Sequence, residues 1–242
     1  MISGWFDMHI HALPGVDDGA RDIEMTEQML RLAFSDGTHH MIFTPHYCAG
    51  KFEADTTMIQ SRFDQVCHMA KQIVPDMTLY LGHELFYNND LINLLQKRKV
   101  RTLADSSYIL VEFAYKRDYI FIRWALEQLQ SAGYRVILAH FERYACLKDR
   151  IDRLRELATD GIHLQITANY ANEMSKRFFS NYVKKAFQEH LIHFIGTDAH
   201  NTSSRKPLMG KYISNLCKKY GEKYIREIAL VNPERVVQNK YI

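Results

Sequence analysis

The sequence has no CxxC pair. Its four cysteines, Cys48, Cys67, Cys146 and Cys217, stand 19, 79 and 71 residues apart. That spacing excludes a cysteine zinc knuckle and a dithiol redox motif. No apolar run approaches the ~20 residues that span a bilayer, so no membrane insertion is expected. The first fifteen residues hold no basic stretch followed by an apolar core, so no secretory leader is expected either. Glycine and proline are scarce, 11 and 5 in 242 residues, which excludes collagen-like and proline-rich chains. Charge of one sign is not in excess: 31 Lys and Arg against 28 Asp and Glu give +3. No nucleic-acid partner is expected from that balance, and no basic stripe with interleaved aromatics appears. The reading is a cytoplasmic protein with free thiols.

Hydrophobic residues make up 47% of the chain, enough to bury a sizeable core. Short apolar runs alternate with longer helical patterns. The expected strands are Trp5–His9, Met41–Thr44, Leu79–Gly82, Tyr108–Glu112, Arg135–Ala139, His163–Thr167 and His193–Gly196. The expected helices are Ile23–Ser35, Thr57–Val74, Asn89–Gln96, Tyr119–Ala132, Leu147–Thr159, Ser175–Glu189, Leu208–Tyr220 and Glu222–Leu230. Strands alternating with helices, with no linker between them, predict one α/β domain over residues 1–242 built on a parallel sheet.

Histidine is plentiful, with 12 residues. In Asp7-Met8-His9-Ile10-His11, alternate side chains of a strand share a face, so His9 and His11 point together. Gly196-Thr197-Asp198-Ala199-His200 repeats the arrangement after the last apolar run. Between them, His46, Glu84, Glu112 and His140 each stand at or just beyond the end of an apolar run. A parallel α/β barrel gathers such ends at one mouth. Asp18, in the loop after the first strand, is a further candidate. Of the seven strands, only His163–Thr167 supplies no metal-capable residue. Burying so many imidazoles and carboxylates unpaired would be costly, and cations offset that cost. Nine ligands exceed one tetrahedral site and fit two or three divalent ions, of which Mn²⁺, Fe²⁺ and Zn²⁺ suit mixed imidazole and carboxylate ligation. Arg143 and Arg205 follow two of these positions, and guanidinium forks suit phosphate oxygens. Aromatic residues near the motifs, Tyr47, Phe52, Tyr115 and Tyr144, are candidates for contact with a substrate. The other seven histidines read as surface or packing residues.

The segments DMHIHALPGVDDGA, TPHY, GHE, VEF, ILAHFERY and GTDAH occur in this order between positions 7 and 200. Together they resemble the polymerase and histidinol phosphatase (PHP) superfamily. Within it, they resemble the manganese-dependent protein-tyrosine phosphatases of bacterial capsule and exopolysaccharide operons. The resemblance implies a distorted (β/α)7 barrel and a metallophosphoesterase. It implies three Mn²⁺ sites: His9, His11, Glu84 and Asp198; then Glu84 shared with Glu112 and His140; then Asp18, His46 and His200. Asp18 rather than Asp17 matches the family's spacing. Arg143 and Arg205 would bind phosphate, and the implied partner is a phosphotyrosine-bearing bacterial tyrosine kinase. Phe141 departs from the usual proline of this segment, and Gln165-Ile166-Thr167-Ala168 matches only loosely. Both departures touch substrate selection and remove no ligand. Two other readings stay open: a small-molecule phosphomonoesterase acting on a substrate such as histidinol phosphate, and a metal-bound interaction module without catalysis. No residue decides whether the chain forms a homo-oligomer.

Overall fold

A computed structural model describes residues 4–172 and 181–242. Nine strands, all parallel, lie in two sheets among these residues. The first sheet has the order β1 (Trp5–Ile10), β2 (Thr38–Phe43), β4 (Thr78–Leu81). The second has the order β3 (His46–Tyr47), β5 (Glu84–Phe86), β6 (Tyr108–Glu112), β7 (Arg135–Leu138), β8 (His163–Thr167), β9 (Phe194–Gly196). The sheets curl towards each other and meet where Ile10 bridges Ala199 in parallel. There the His11 N–H donates to the Ala199 carbonyl at 2.9 Å.

Seven strands were expected; the two added ones, β3 and β5, follow the expected Met41–Thr44 and Leu79–Gly82, each beyond a break. Between β2 and β3 stand Thr44 and Pro45; proline has no N–H for the ladder. The Thr44 hydroxyl accepts from the Ile10 N–H at 3.0 Å and takes over a bond the strand gives up. Between β4 and β5 lies Gly82, where a Cβ would come within 2.8 Å of the Leu103 side chain. The breaks turn His46 and Glu84 onto the rim.

The helices α1 (Ile23–Ser35), α2 (Thr56–Ile73), α3 (Leu91–Gln96), α4 (Tyr119–Ser131) and α5 (Ile151–Thr159) follow the expected pattern. Asp22, Asp55 and Asp118 cap α1, α2 and α4, each side chain accepting from an amide of the first turn. Helix α5 starts at Ile151 rather than Leu147. Asp149 takes a left-handed conformation (φ 57°), so the residues before Ile151, Cys146 included, form turns. A short α6 (Ala168–Asn172) was not expected. Of the expected helix Ser175–Glu189, the part before Asn181 lies outside the described residues, and the rest is α7 (Asn181–Gln188). Helices α8 (Gly210–Tyr220), α9 (Glu222–Arg226) and α10 (Asn232–Val237) finish the chain, with a π-helical turn at Glu227–Val231 between the last two.

Alternation along each strand divides the core. Val111, Val136 and Leu138 pack outward against α4 and its neighbours, with Ile122, Leu126 and Leu129. Leu110, Ile137, Phe6, Met8 and Phe194 fill the interior of the curl below its C-terminal end. Barrel folds of this kind place their chemistry above such an interior, at the strand ends. Among the described residues, no helix is long and apolar enough to cross a membrane.

Candidate metal centre

Nine side chains named above as candidate ligands converge at that end. In one group, His9 Nε2 and His11 Nε2 lie 3.1 Å apart, each 3.1 Å from Glu84 Oε2. Asp198 Oδ1 stands 3.4 Å from the first nitrogen and 3.3 Å from the second. An ideal tetrahedral site with bonds of ~2.0–2.1 Å has edges of about 3.3–3.4 Å, so these four atoms already have the spacing of a metal site. A second group joins His11, Asp18, His46 and His200, and a third joins His46, Glu84 and Glu112. His140 stands beside the third group, its Nε2 at 2.7 Å from Glu84 Oε1 and 3.4 Å from Glu112 Oε2.

The distribution differs in two respects from the expected one. His11 belongs to the first and the second group, where the resemblance placed it in one, and His46 is shared as well. His46 faces two ways: Nδ1 lies 3.2 Å from Glu84 and 3.4 Å from Glu112, and Nε2 lies 3.6 Å from Asp18. It therefore belongs to two groups, where the resemblance placed it in one.

Backbone geometry aims several of these side chains. His140 (φ 33°) and Asp198 (φ 51°) both hold left-handed conformations just past β7 and β9, a strain that non-glycine residues keep when the surroundings enforce it. Gly196 lets β9 lie against β1, because a Cβ there would come within 2.6 Å of the His9 Cβ.

Three of the imidazoles are held from behind. His11 Nδ1 donates to Asp17 Oδ2 at 2.8 Å, and Asp17 also accepts from the amides of His46 and Gly19. His9 Nδ1 donates to Gln165 Oε1 at 3.1 Å, and the His140 N–H donates to the same oxygen at 2.8 Å. His200 Nδ1 donates to the Asp198 carbonyl at 3.0 Å. In each ring the remaining Nε2 is turned to the centre in the form that binds metal. Asp17 and Gln165 were not among the expected site residues. Asp7 shared the face of His9 and His11 in the strand pattern, yet it stops below them and accepts from the Thr197 N–H at 2.9 Å. Burial raises its carboxyl to about 6, against those hydrogen bonds.

The electrostatics ask for cations. Burial disfavours charge on His11 and His140. Even so, the facing carboxylates of Asp17, Asp198 and Glu84 raise His11 well above the usual imidazole range, and those of Glu112 and Glu84 raise His140 to about 9. Burial would raise Glu84 and Asp198 too, but the surrounding imidazoles hold both well below the usual carboxylate range. The buried carboxylates therefore favour positive charge at the centre. Glu84 Oε2, His46 Nδ1 and His200 Nε2 are buried and have no hydrogen-bond partner, as expected of atoms shaped to coordinate. The residues therefore fit divalent ions.

Arg143 and Arg205 both reach Asp198 Oδ2, Arg205 at 2.5 Å. With Asp18, His46, Glu84, Glu112 and His140 they line an open cavity of about 420 Å³. Of the four aromatics expected near a substrate, Phe52 and Tyr115 line that cavity. Tyr144 is fully buried and its hydroxyl accepts from the Phe113 N–H at 3.1 Å; Tyr47 packs half-buried against the core.

A parallel α/β fold with such a rim of imidazoles, carboxylates and arginines defines a hydrolase-type metal centre. Residues 5–238 match the family described as Capsular polysaccharide synthesis, CpsB/CapC, and the chain belongs to that family. It is 31% identical over 243 residues to the tyrosine-protein phosphatase CpsB of Streptococcus pneumoniae, covering 98% of this chain and 99% of that protein. Its fold is similar, with a TM-score of 0.90, to the structures of YwqE from Bacillus subtilis and CpsB from Streptococcus pneumoniae, described as unique metal-dependent tyrosine phosphatases. The matched structure is 26% identical, and the match covers 98% of this chain and 96% of that one. An amidohydrolase from Mycoplasma synoviae shares the fold alone, at a TM-score of 0.64 and 10% identity over 97% of this chain and 87% of its own.

Proposed function

We propose that the chain is a metal-dependent protein-tyrosine phosphatase. Its substrate in this reading is phosphotyrosine on a bacterial tyrosine kinase that controls capsular or exopolysaccharide synthesis. The observation that carries the reading is the convergence of nine imidazole and carboxylate side chains with two arginines on one open mouth. The same reading takes residues 1–242 as one PHP-type domain, a distorted (β/α)7 barrel in which β2–β3 and β4–β5 are two bent strands. It places the protein in the cytoplasm.

His9, His11, Glu84 and Asp198 would hold one ion. Glu84, Glu112, His46 and His140 would hold a second, and Asp18, His11, His46 and His200 a third, with Mn²⁺ favoured among the divalent ions. Bound there, such ions lower the pKa of water towards neutrality and neutralise charge on a phosphoryl group. Arg143 and Arg205 orient that group by donating to its oxygens, and Asp198 fixes both guanidinium groups beforehand. Tyr115 accepts from Arg143 Nη1 at 3.3 Å and presents its ring to the cavity, where Phe52 also stands. Tyrosine phenolate has a pKa of about 10 and leaves without strong help from an acid. The four cysteines are free and half-buried; Cys48 lines the cavity, but none of the four begins a Cys-x5-Arg loop, so no cysteine nucleophile is assigned.

The test compares hydrolysis of a phosphotyrosyl peptide and of histidinol phosphate by one metal-stripped preparation titrated with Mn²⁺. Restored peptide hydrolysis with an inert histidinol ester supports the reading, and the reverse preference transfers it to a small-molecule phosphatase. Full activity in excess chelator overturns the metal mechanism, while thiol alkylation should leave activity intact.

A further inference from the structure

A second cavity, of about 280 Å³, lies on the other side of Arg143, Asp198 and Arg205, which line both it and the metal-facing cavity. Its wall also carries Lys206, Lys211 and Thr167. Asp198 is the one carboxylate in that wall, and both arginines already bond it. Both lysines are exposed, and among the described residues neither ammonium has an ion-pair partner. The cavity is therefore positive beyond the charge needed to hold Asp198. A second observation is independent of this charge. Thr167 is 2% exposed, and its Oγ1 is buried without a hydrogen-bond partner. Its N–H is already bonded to Glu142, so the hydroxyl is the unsatisfied group. A buried hydroxyl facing a positive cavity is a site for an acceptor.

We propose that this cavity is a subsite for a second anionic side chain of the substrate, a carboxylate or a phosphoryl group, carried near the phosphotyrosine. The inference rests on the phosphatase reading and adds a determinant of peptide choice. One shared wall separates the cavities, and an extended peptide advances ~3.4 Å per residue, so the second anion belongs within about three positions of the phosphotyrosine. The lysines act by charge, which raises association and selects partners more than it adds raw affinity. The preference therefore weakens with salt.

The experiment uses the Mn²⁺-loaded protein and three phosphotyrosyl peptides: one with neutral flanks, one with flanking glutamates, one with a second phosphotyrosine. Phenyl phosphate is the small control. The expected KM is about tenfold lower for the charged peptides than for the neutral one, with kcat little changed. The double variant Lys206→Ala/Lys211→Ala removes that difference and leaves phenyl phosphate hydrolysis as it was. A gain with both charged peptides assigns the subsite to negative charge in general; a gain confined to the second phosphotyrosine assigns it to phosphoryl. Equal KM values in the wild type, or a preference that survives the double variant, overturn the proposal. Anisotropy with non-hydrolysable phosphonate versions of the peptides separates the two levels of inference. Charge-dependent binding without any hydrolysis sinks the phosphatase reading and keeps the subsite. Hydrolysis without charge dependence does the opposite.

Discussion

The Asp17 carboxylate accepts the His11 Nδ1–H at 2.8 Å and holds that imidazole with Nε2 facing Glu84 and Asp198. Asp17 is buried, and although burial opposes it, the bond to His11 lowers its pKa. It therefore stays ionised and fixes one tautomer of His11. Asp17→Asn keeps the size but loses the charge. Partners of this kind typically contribute 10–100-fold to metal affinity. Titration of metal-free protein with Mn²⁺ should show a weakening in that range for Asp17→Asn. Unchanged affinity would remove Asp17 from the machinery.

Gln165 does for two residues what Asp17 does for one. Its Oε1 accepts from both His9 Nδ1 and the His140 amide, and its Nε2 donates to the Ile166 carbonyl at 2.7 Å. It is fully buried. Gln165→Leu leaves two buried donors unpaired, at about 1–3 kcal/mol each. The expected result is a lower urea midpoint and a larger fall in kcat than in KM, because His9 and His140 both lose their orientation. Gln165→Glu can still accept from both donors and should recover much of the loss. A lower midpoint with unaltered kcat would leave Gln165 a purely structural role.

The candidate ligands were legible because strand alternation and the position of polar residues after apolar runs are local properties. Asp17 and Gln165 were not, for different reasons. Asp17 and Asp18 are neighbours in one loop, and only the fold of that loop sends Asp17 behind the His11 ring while Asp18 faces His46 and His200. Gln165 is a neutral amide on the one strand read as supplying nothing, and its role comes from the place of β8 beside β7. The strand breaks escaped for a similar reason. Pro45 was visible, but the crowding of Gly82 against Leu103 depends on a residue 21 positions away. Helix ends that rest on left-handed residues, such as Asp149 before α5, cannot be read from apolar spacing. Arg143 and Arg205 were visible as residues, yet their common anchor on Asp198 is a tertiary fact.

That anchor gives a test of Arg143. Its side chain is 29% exposed, enough to reach a ligand, and its guanidinium bonds both Asp198 and the Tyr115 hydroxyl. Arg143→Lys keeps a charge but loses the fork that engages two groups at once. Loss of one such preorganised donor typically costs about 10²–10³ in kcat. Arg143→Lys should approach that fall while binding Mn²⁺ nearly as well as the wild type. A parallel loss of metal would mean that Arg143 acts by holding Asp198 and not by binding substrate.

At the other end of the sheet, His163 begins β8 and His193 immediately precedes β9, with ring centroids 5.1 Å apart. Burial lowers His163 to about 3 and His193 to about 4; the neighbouring His193 and Arg135 charges add to the effect on His163. Both rings are therefore neutral in the fold, while in the unfolded chain they protonate near 6.5. Above that pH neither group affects stability. As pH falls from 6.5 towards 4, the unfolded state binds more protons, and stability drops by up to about 1.4 kcal/mol per pH unit for each ring. The carboxylates and imidazoles of the metal centre titrate as well, so the useful quantity is a difference between two proteins. His163→Phe removes one of the titrating rings and keeps the contacts with Tyr108 and Phe194. Urea unfolding of both proteins at pH 7.5 and 5 should show the wild type losing more stability than His163→Phe on acidification. Equal losses would mean that His163 takes up a proton in the folded protein as easily as in the unfolded chain.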